Sequence, residues 1–149
     1  MGTRADFYID NMGDMTWLGS IYRDGQPWNI PIVLLAQVNP AMFAEQLDEY
    51  FETVDNADHK WPWPWEDSQL TDYSYILDCE RGKVVGYTMQ DKMIFDPLKV
   101  SVGEDLSSAK IANAVPNFPK LGVGYGPKSS KTLQGIRKLF KLPKFSLRS

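Results

Sequence analysis

Acid and base are sorted by position along this chain, and that sorting limits what it can fold into. All 19 Asp and Glu residues lie at or before Asp105, together with only seven of the 16 Lys and Arg residues. The first 105 residues therefore carry a net −12, and the last 44 carry +9 with no carboxylate. A near-neutral total of −3 conceals two poles. Asymmetry of this kind marks an interaction tail set apart from a folded core. The expected division is an acidic core over residues 1–105 and a basic arm over residues 106–149.

The core has the material to fold. The chain is 149 residues long, about one domain, and 43% of it is hydrophobic and 13% aromatic. Its single cysteine, Cys79, excludes an internal disulfide, which fits a reducing compartment. The first residues lack the charged-then-apolar run of a signal peptide, and no apolar stretch approaches the roughly 18 residues of a membrane span. The expectation is a cytoplasmic protein, in the host cytoplasm if a phage encodes it.

Local patterns predict an α+β core. Residues 3–9 and 15–22 read as two strands around the turn cluster Asp10–Asp14, with Trp17, Gly19 and Ile21 on one face. Residues 30–38 form a short apolar run, read here as a helix entered through Pro31. A stronger helix follows over 40–55. Asn39 is its N-cap, Pro40 its first residue, and Val38 and Phe43 are placed for a hydrophobic staple. Phe43, Leu47, Tyr50, Phe51 and Val54 make one apolar stripe, and Glu45, Asp48, Glu49, Glu52 and Asp55 make the opposite, acidic side. Tyr73–Cys79 and Lys83–Gln90 read as a hairpin turning at Gly82, and Lys92–Asp96 as an edge strand stopped by Pro97. The sum is a small antiparallel sheet of two hairpins, packed with one or two helices.

Beyond Asp105 the chain changes character. Residues 106–130 hold three prolines and three of the glycines, the pattern of an irregular arm. Residues 131–142 return to helical periodicity. Leu133, Ile136, Leu139 and Phe140 share one face, while Lys131, Gln134, Arg137, Lys138 and Lys141 take the other. A helix this short needs a surface to lie on. Its rivals for that surface are the acidic helix 40–55 in the same chain or a second copy, an acidic and apolar groove of another protein, nucleic-acid phosphates, and, last, an anionic membrane.

Few residues point to chemistry. Trp61-Pro62-Trp63-Pro64-Trp65 is the oddest local sequence. An extended, proline-stiffened backbone would aim Trp61, Trp63 and Trp65 to one side, either as an aromatic binding surface or as a cap on the sheet. Cys79 and His59 are the only candidates for a thiol–imidazole pair, and no orienting motif surrounds them. One His and one Cys do not make a zinc site. Glu66, Asp67, Asp72, Asp78 and Glu80 lack a catalytic or magnesium-binding spacing and read as solvated surface. Gly122 to Ser130 lacks the spacing of a phosphate loop. No metal and no cofactor is expected.

Three stretches carry a resemblance: MGTRADFY at 1–8, WLGSI at 17–21 and WPWPWEDSQLTDYSY at 61–75. Together they resemble a family of small uncharacterised bacterial and prophage-type proteins, over residues 1 to about 80. The resemblance implies a common fold and a mobile-element setting, and it implies no catalytic activity. The expected function is therefore a non-enzymatic protein-interaction module, encoded by a phage or mobile element. It would serve as an inhibitor of a host system or as an assembly component. Leu133, Ile136, Leu139 and Phe140 would dock on a protein partner or a second subunit, with Arg137, Lys138 and Lys141 at the rim. The alternatives are a nucleic-acid-binding accessory protein that uses the basic tail, and a small enzyme built on a carboxylate cluster.

Overall fold

A computed structural model describes residues 3–54, 57–58, 72–113 and 116. The Trp/Pro run and the basic segment 131–142 lie outside the described residues, as do all the partner-binding and aromatic-surface residues expected above.

The described chain is an α+β fold. A seven-stranded sheet has the order β3-β2-β1-β4-β5-β6-β7. Its strands are β1 (Ala5–Asn11), β2 (Asp14–Ile21), β3 (Ala57–Asp58), β4 (Tyr73–Asp78), β5 (Lys83–Thr88), β6 (Met93–Phe95) and β7 (Lys110–Ala112). The helices are α1 (Ile32–Leu35), α2 (Pro40–Thr53) and α3 (Pro97–Ser101). Both expected hairpins form, β1–β2 and β4–β5. They join through a parallel pairing of β1 with β4, so the sheet is mixed rather than purely antiparallel.

The β1–β2 turn forms where Asp10 Oδ1 accepts from the Gly13 N–H at 2.7 Å. Within β2 the register shifts: Phe7 opposes Gly19, yet Tyr8 opposes Trp17, so Leu18 is an extra residue. A one-residue insertion reverses the side-chain alternation beyond it. Trp17 therefore does not share a face with Ile21 as the simple alternation predicts. Ile21 joins the cluster under the helices, and Trp17 joins the opposite one.

Helix α2 begins where its sequence signals place it. Asn39 Oδ1 accepts from the Met42 N–H at 3.0 Å, and Pro40 fills the first helical position. The stripe Phe43, Leu47 and Phe51 is buried against Phe7, Ile9, Tyr75 and Leu77, with Tyr50 and Val54 packed at its margin. Two expectations fail here. Val38 is exposed, so no staple forms with Phe43. Glu45, expected on the side away from the sheet, is buried, as is Ala41, because the first half of the helix is enclosed on both sides rather than lying on a surface. There the preceding reversal folds back onto α2, with Gln37 Nε2 donating to Gln46 Oε1 at 2.9 Å.

The sheet also runs further than the charge boundary suggests. Pro97 follows the end of β6, as expected, and it opens α3, whose N-cap Asp96 accepts from the Leu98 N–H at 3.1 Å. The chain then returns as β7 beside β6, so β6 is an interior strand rather than an edge. The described core thus passes Asp105 and takes in Lys110–Ala112. Beside these strands, Phe95, Val100 and Ala109 form a small cluster of their own.

All three helices pack on one face of the sheet. The other face holds a separate cluster of Tyr8, Met15, Trp17, Ile76, Val85 and Tyr87.

Candidate functional site

The candidate surface is an apolar patch built by a run too short to bury itself. Pro27 opens a single 3-10 turn, Pro27–Asn29, and Pro31 then holds an extended conformation before α1. Four consecutive apolar residues in one helical turn point in every direction, so a four-residue helix cannot bury them all. Ile30, Leu34 and Leu35 enter the core. Trp28, Ile32, Val33 and Val38 face water at 59%, 55%, 54% and 62% exposure. Eight large apolar residues are exposed among the described residues, and these four fall within eleven positions. Helix α3 packs beside the 3-10 turn and α1. Its end presents Val102, the most exposed of the eight. Singly exposed apolar side chains are ordinary, whereas a concentration of them on adjacent elements marks a contact surface.

The run 30–38 carried a signal for this patch, because Ile32–Leu35 leaves an apolar residue outside whichever way it turns. Val102 is brought beside it only by the packing of α3 on the 3-10 turn and α1.

A buried polar group lies on the face away from the helices. Ser20 Oγ donates to Asp6 Oδ1 at 2.6 Å, Trp17 Nε1 donates to Ser20 Oγ at 2.9 Å, and the Tyr8 hydroxyl lies 3.4 Å from Asp6 Oδ2. A carboxylate this deep requires such donors.

Two of the carboxylates considered for chemistry, Asp72 and Asp78, are structural acceptors. Asp72 precedes β4 and accepts from the Arg4 N–H at 2.9 Å. Asp78 ends β4 and accepts from the N–H groups of Glu80 and Arg81 at 3.0 and 3.2 Å, forming the turn to β5. The length of β4, roughly 20 Å at 3.3 Å per residue, separates Asp72 from Asp78 and Cys79. Burial pushes the Cys79 thiol up from its ordinary pKa, and Asp10 and Asp78 raise it further. Asp105, which is exposed, is held low by the Ser108 N–H and by the Ser108 and Ser107 hydroxyls. Glu66, Asp67 and His59 lie outside the described residues. Among the described residues no three His, Cys, Asp or Glu side chains are grouped to hold a metal ion, and no helix is long and apolar enough to cross a membrane.

Charge is unevenly shared between the described residues and the C-terminal remainder. The described residues contain 16 carboxylates against seven Lys and Arg, and residues 117–149 contain eight Lys and Arg with no carboxylate. Compared with family models, with curated proteins and with solved structures, the chain matches none.

Proposed function

We propose that this chain is a non-enzymatic protein-interaction module that associates with copies of itself. The apolar patch of one copy, Trp28, Ile32, Val33 and Val102, receives the stripe Leu133, Ile136, Leu139 and Phe140 of another. The exposed apolar patch on an acidic core is the observation that carries this reading. The basic segment supplies the complement in the same chain: four apolar residues at the spacing of one helical stripe, with Arg137, Lys138 and Lys141 interleaved in the sequence. Of the two roles weighed for such a module, an assembly component fits better than an inhibitor, because an assembly arm needs a receiving surface on its own neighbour. Encoding by a phage or mobile element rests on the resemblance of residues 1–8, 17–21 and 61–75 alone.

Sedimentation velocity of the full chain across a dilution series tests this. The expected result is a concentration-dependent dimer or higher species, lost both in Val33→Asp and in Leu139→Asp. A monomer at every concentration, or association that ignores both substitutions, overturns it. A second reading, nucleic-acid binding through the tail, is supported by the eight bases of residues 117–149 without a carboxylate. It requires binding to a DNA or RNA duplex that weakens steeply with added salt.

A further inference from the structure

The exposed apolar patch brings no charge of its own. Residues 25–44, which supply Trp28, Ile32, Val33 and Val38, form the longest uncharged run in a chain that is 23% charged. Charge reaches the patch only from the elements packed against it. Helix α2 touches α1, and its first charged residue, Glu45, is buried. Helix α3 lies against both the 3-10 turn and α1, and its last turn and exit carry the exposed side chains Lys99, Glu104 and Asp105.

The exit from α3 is a Schellman motif. The Gly103 N–H donates to Val100 O at 3.1 Å, the Glu104 N–H donates to Lys99 O at 3.0 Å, and Gly103 takes φ +112°. In that motif the residue at the Glu104 position commonly makes an apolar contact with the one at the Lys99 position. Here both positions are charged and exposed, and neither side chain holds an ion pair among the described residues. Asp105 is different. Its carboxylate accepts from the Ser108 N–H at 2.9 Å and from the Ser107 hydroxyl at 3.1 Å, which shapes the turn into β7. A local rule is therefore broken at Glu104 with no compensating contact in the described fold, and such breaks concentrate at functional positions. Val102, the most exposed of the large apolar residues, stands just before it on the same exit.

We infer that Glu104 is the specificity-determining charge of this docking surface. It favours an apolar segment that carries bases, and Lys99 on the same helix end opposes it. The role rests on the self-association proposed above, in which residues 131–142 of a second copy are the occupant. Every charged residue beyond Asp105 is Lys or Arg, so that segment offers Glu104 only partners of the right sign.

Opposite charge reversals on one helix end test this. Sedimentation velocity of the full chain gives the dissociation constants of the parent, Glu104→Lys and Lys99→Glu at low salt and at about 0.5 M salt. Glu104→Lys should raise the constant by at least about threefold, and Lys99→Glu should lower it. Both differences should vanish at high salt, which a loss of apolar packing would not do. In the Glu104→Lys chain, at least one of Arg137→Glu, Lys138→Glu and Lys141→Glu should restore the parent's constant. Circular dichroism checks the fold; if Glu104→Lys disturbs it, Glu104→Gln and Lys99→Glu decide by the same opposite signs. Suppose Val33→Asp abolishes association while the two reversals leave it unchanged, or shift it in the same direction. Self-association then stands and the role of Glu104 falls. Failure of all three tail reversals to restore association also overturns that role. A parent that stays monomeric at every concentration removes the role and the self-association together.

Discussion

Helix α2 is held to the sheet by a ring seated on a missing side chain, and filling that gap should loosen the contact by a predictable amount. A Cβ built at Gly19 would stand 2.6 Å from Phe51 Cζ and 3.2 Å from Cδ2, with Cε2 nearer still. Real Cβ atoms do not approach a ring so closely, so Gly19→Ala forces Phe51 to move. Phe51 has little freedom, because it meets Phe7 edge-on at 5.7 Å and packs beside Tyr50. Overpacking of this sort costs about 1–3 kcal/mol. At this size each kcal/mol lowers the melting temperature by about 2–4 °C. Shortening the ring separates steric cause from any general dislike of alanine in β2. Phe51→Leu alone should destabilise through lost packing, yet in its presence Gly19→Ala should cost distinctly less, a coupling of at least about 0.5 kcal/mol. Urea denaturation of the four chains, followed by circular dichroism, measures it. Strictly additive midpoints would refute the proposed contact.

Three further outcomes follow from single contacts. Asn39→Ala removes the acceptor of the Met42 N–H and should cost about 1 kcal/mol by urea denaturation, whereas Asn39→Asp should cost little. Tyr75 is buried, donates to Gly25 O at 2.5 Å, and has its pKa raised well above 10.0 by burial and by Tyr73 and Tyr50. Only the unfolded chain ionises this phenol near its ordinary value, so the stabilisation is complete below about pH 10 and is lost as pH rises through the folded value. The denaturation midpoint should fall above that pH, and the fall should be shallower in Tyr75→Phe; parallel curves would contradict the assignment. Burial and the neighbouring Asp10 and Asp78 raise the Cys79 pKa. Its labelling near neutral pH should therefore be slower than that of a free cysteine and should rise toward alkaline pH.

The sequence reading was sound where structure is local. Asn39-Pro40 and the 3.6-residue spacing of Phe43, Leu47 and Phe51 place α2, and Gly82, with φ +70°, makes the turn between β4 and β5. It missed what depends on distant chain. Nothing near Leu18 announces the extra residue that turns Trp17 to the second face, since a bulge is visible only against its partner strand. The parallel pairing of β1 with β4 joins residues about 68 apart and leaves no local mark. Asp96-Pro97 carried a capping signal for α3, as Asn39-Pro40 did for α2, but five helical residues give too little periodicity to support it. Strand β7 is three residues long and exposed on most of its length, so neither hydrophobic alternation nor charge separates it from an arm. The exposed apolar patch was half legible, through Ile32–Leu35, and the aromatic and basic segments lie outside the described residues.

The self-association account stands most directly on the mass of the full chain in solution. Sedimentation velocity of the parent chain, Val33→Asp and Leu139→Asp should show an associating parent and two monomeric variants. Both variants should keep the parent's circular dichroism and stability within about 0.5 kcal/mol, because Val33 is exposed and surface changes cost little. A parent that remains monomeric at every concentration, or variants that associate as it does, would contradict the account.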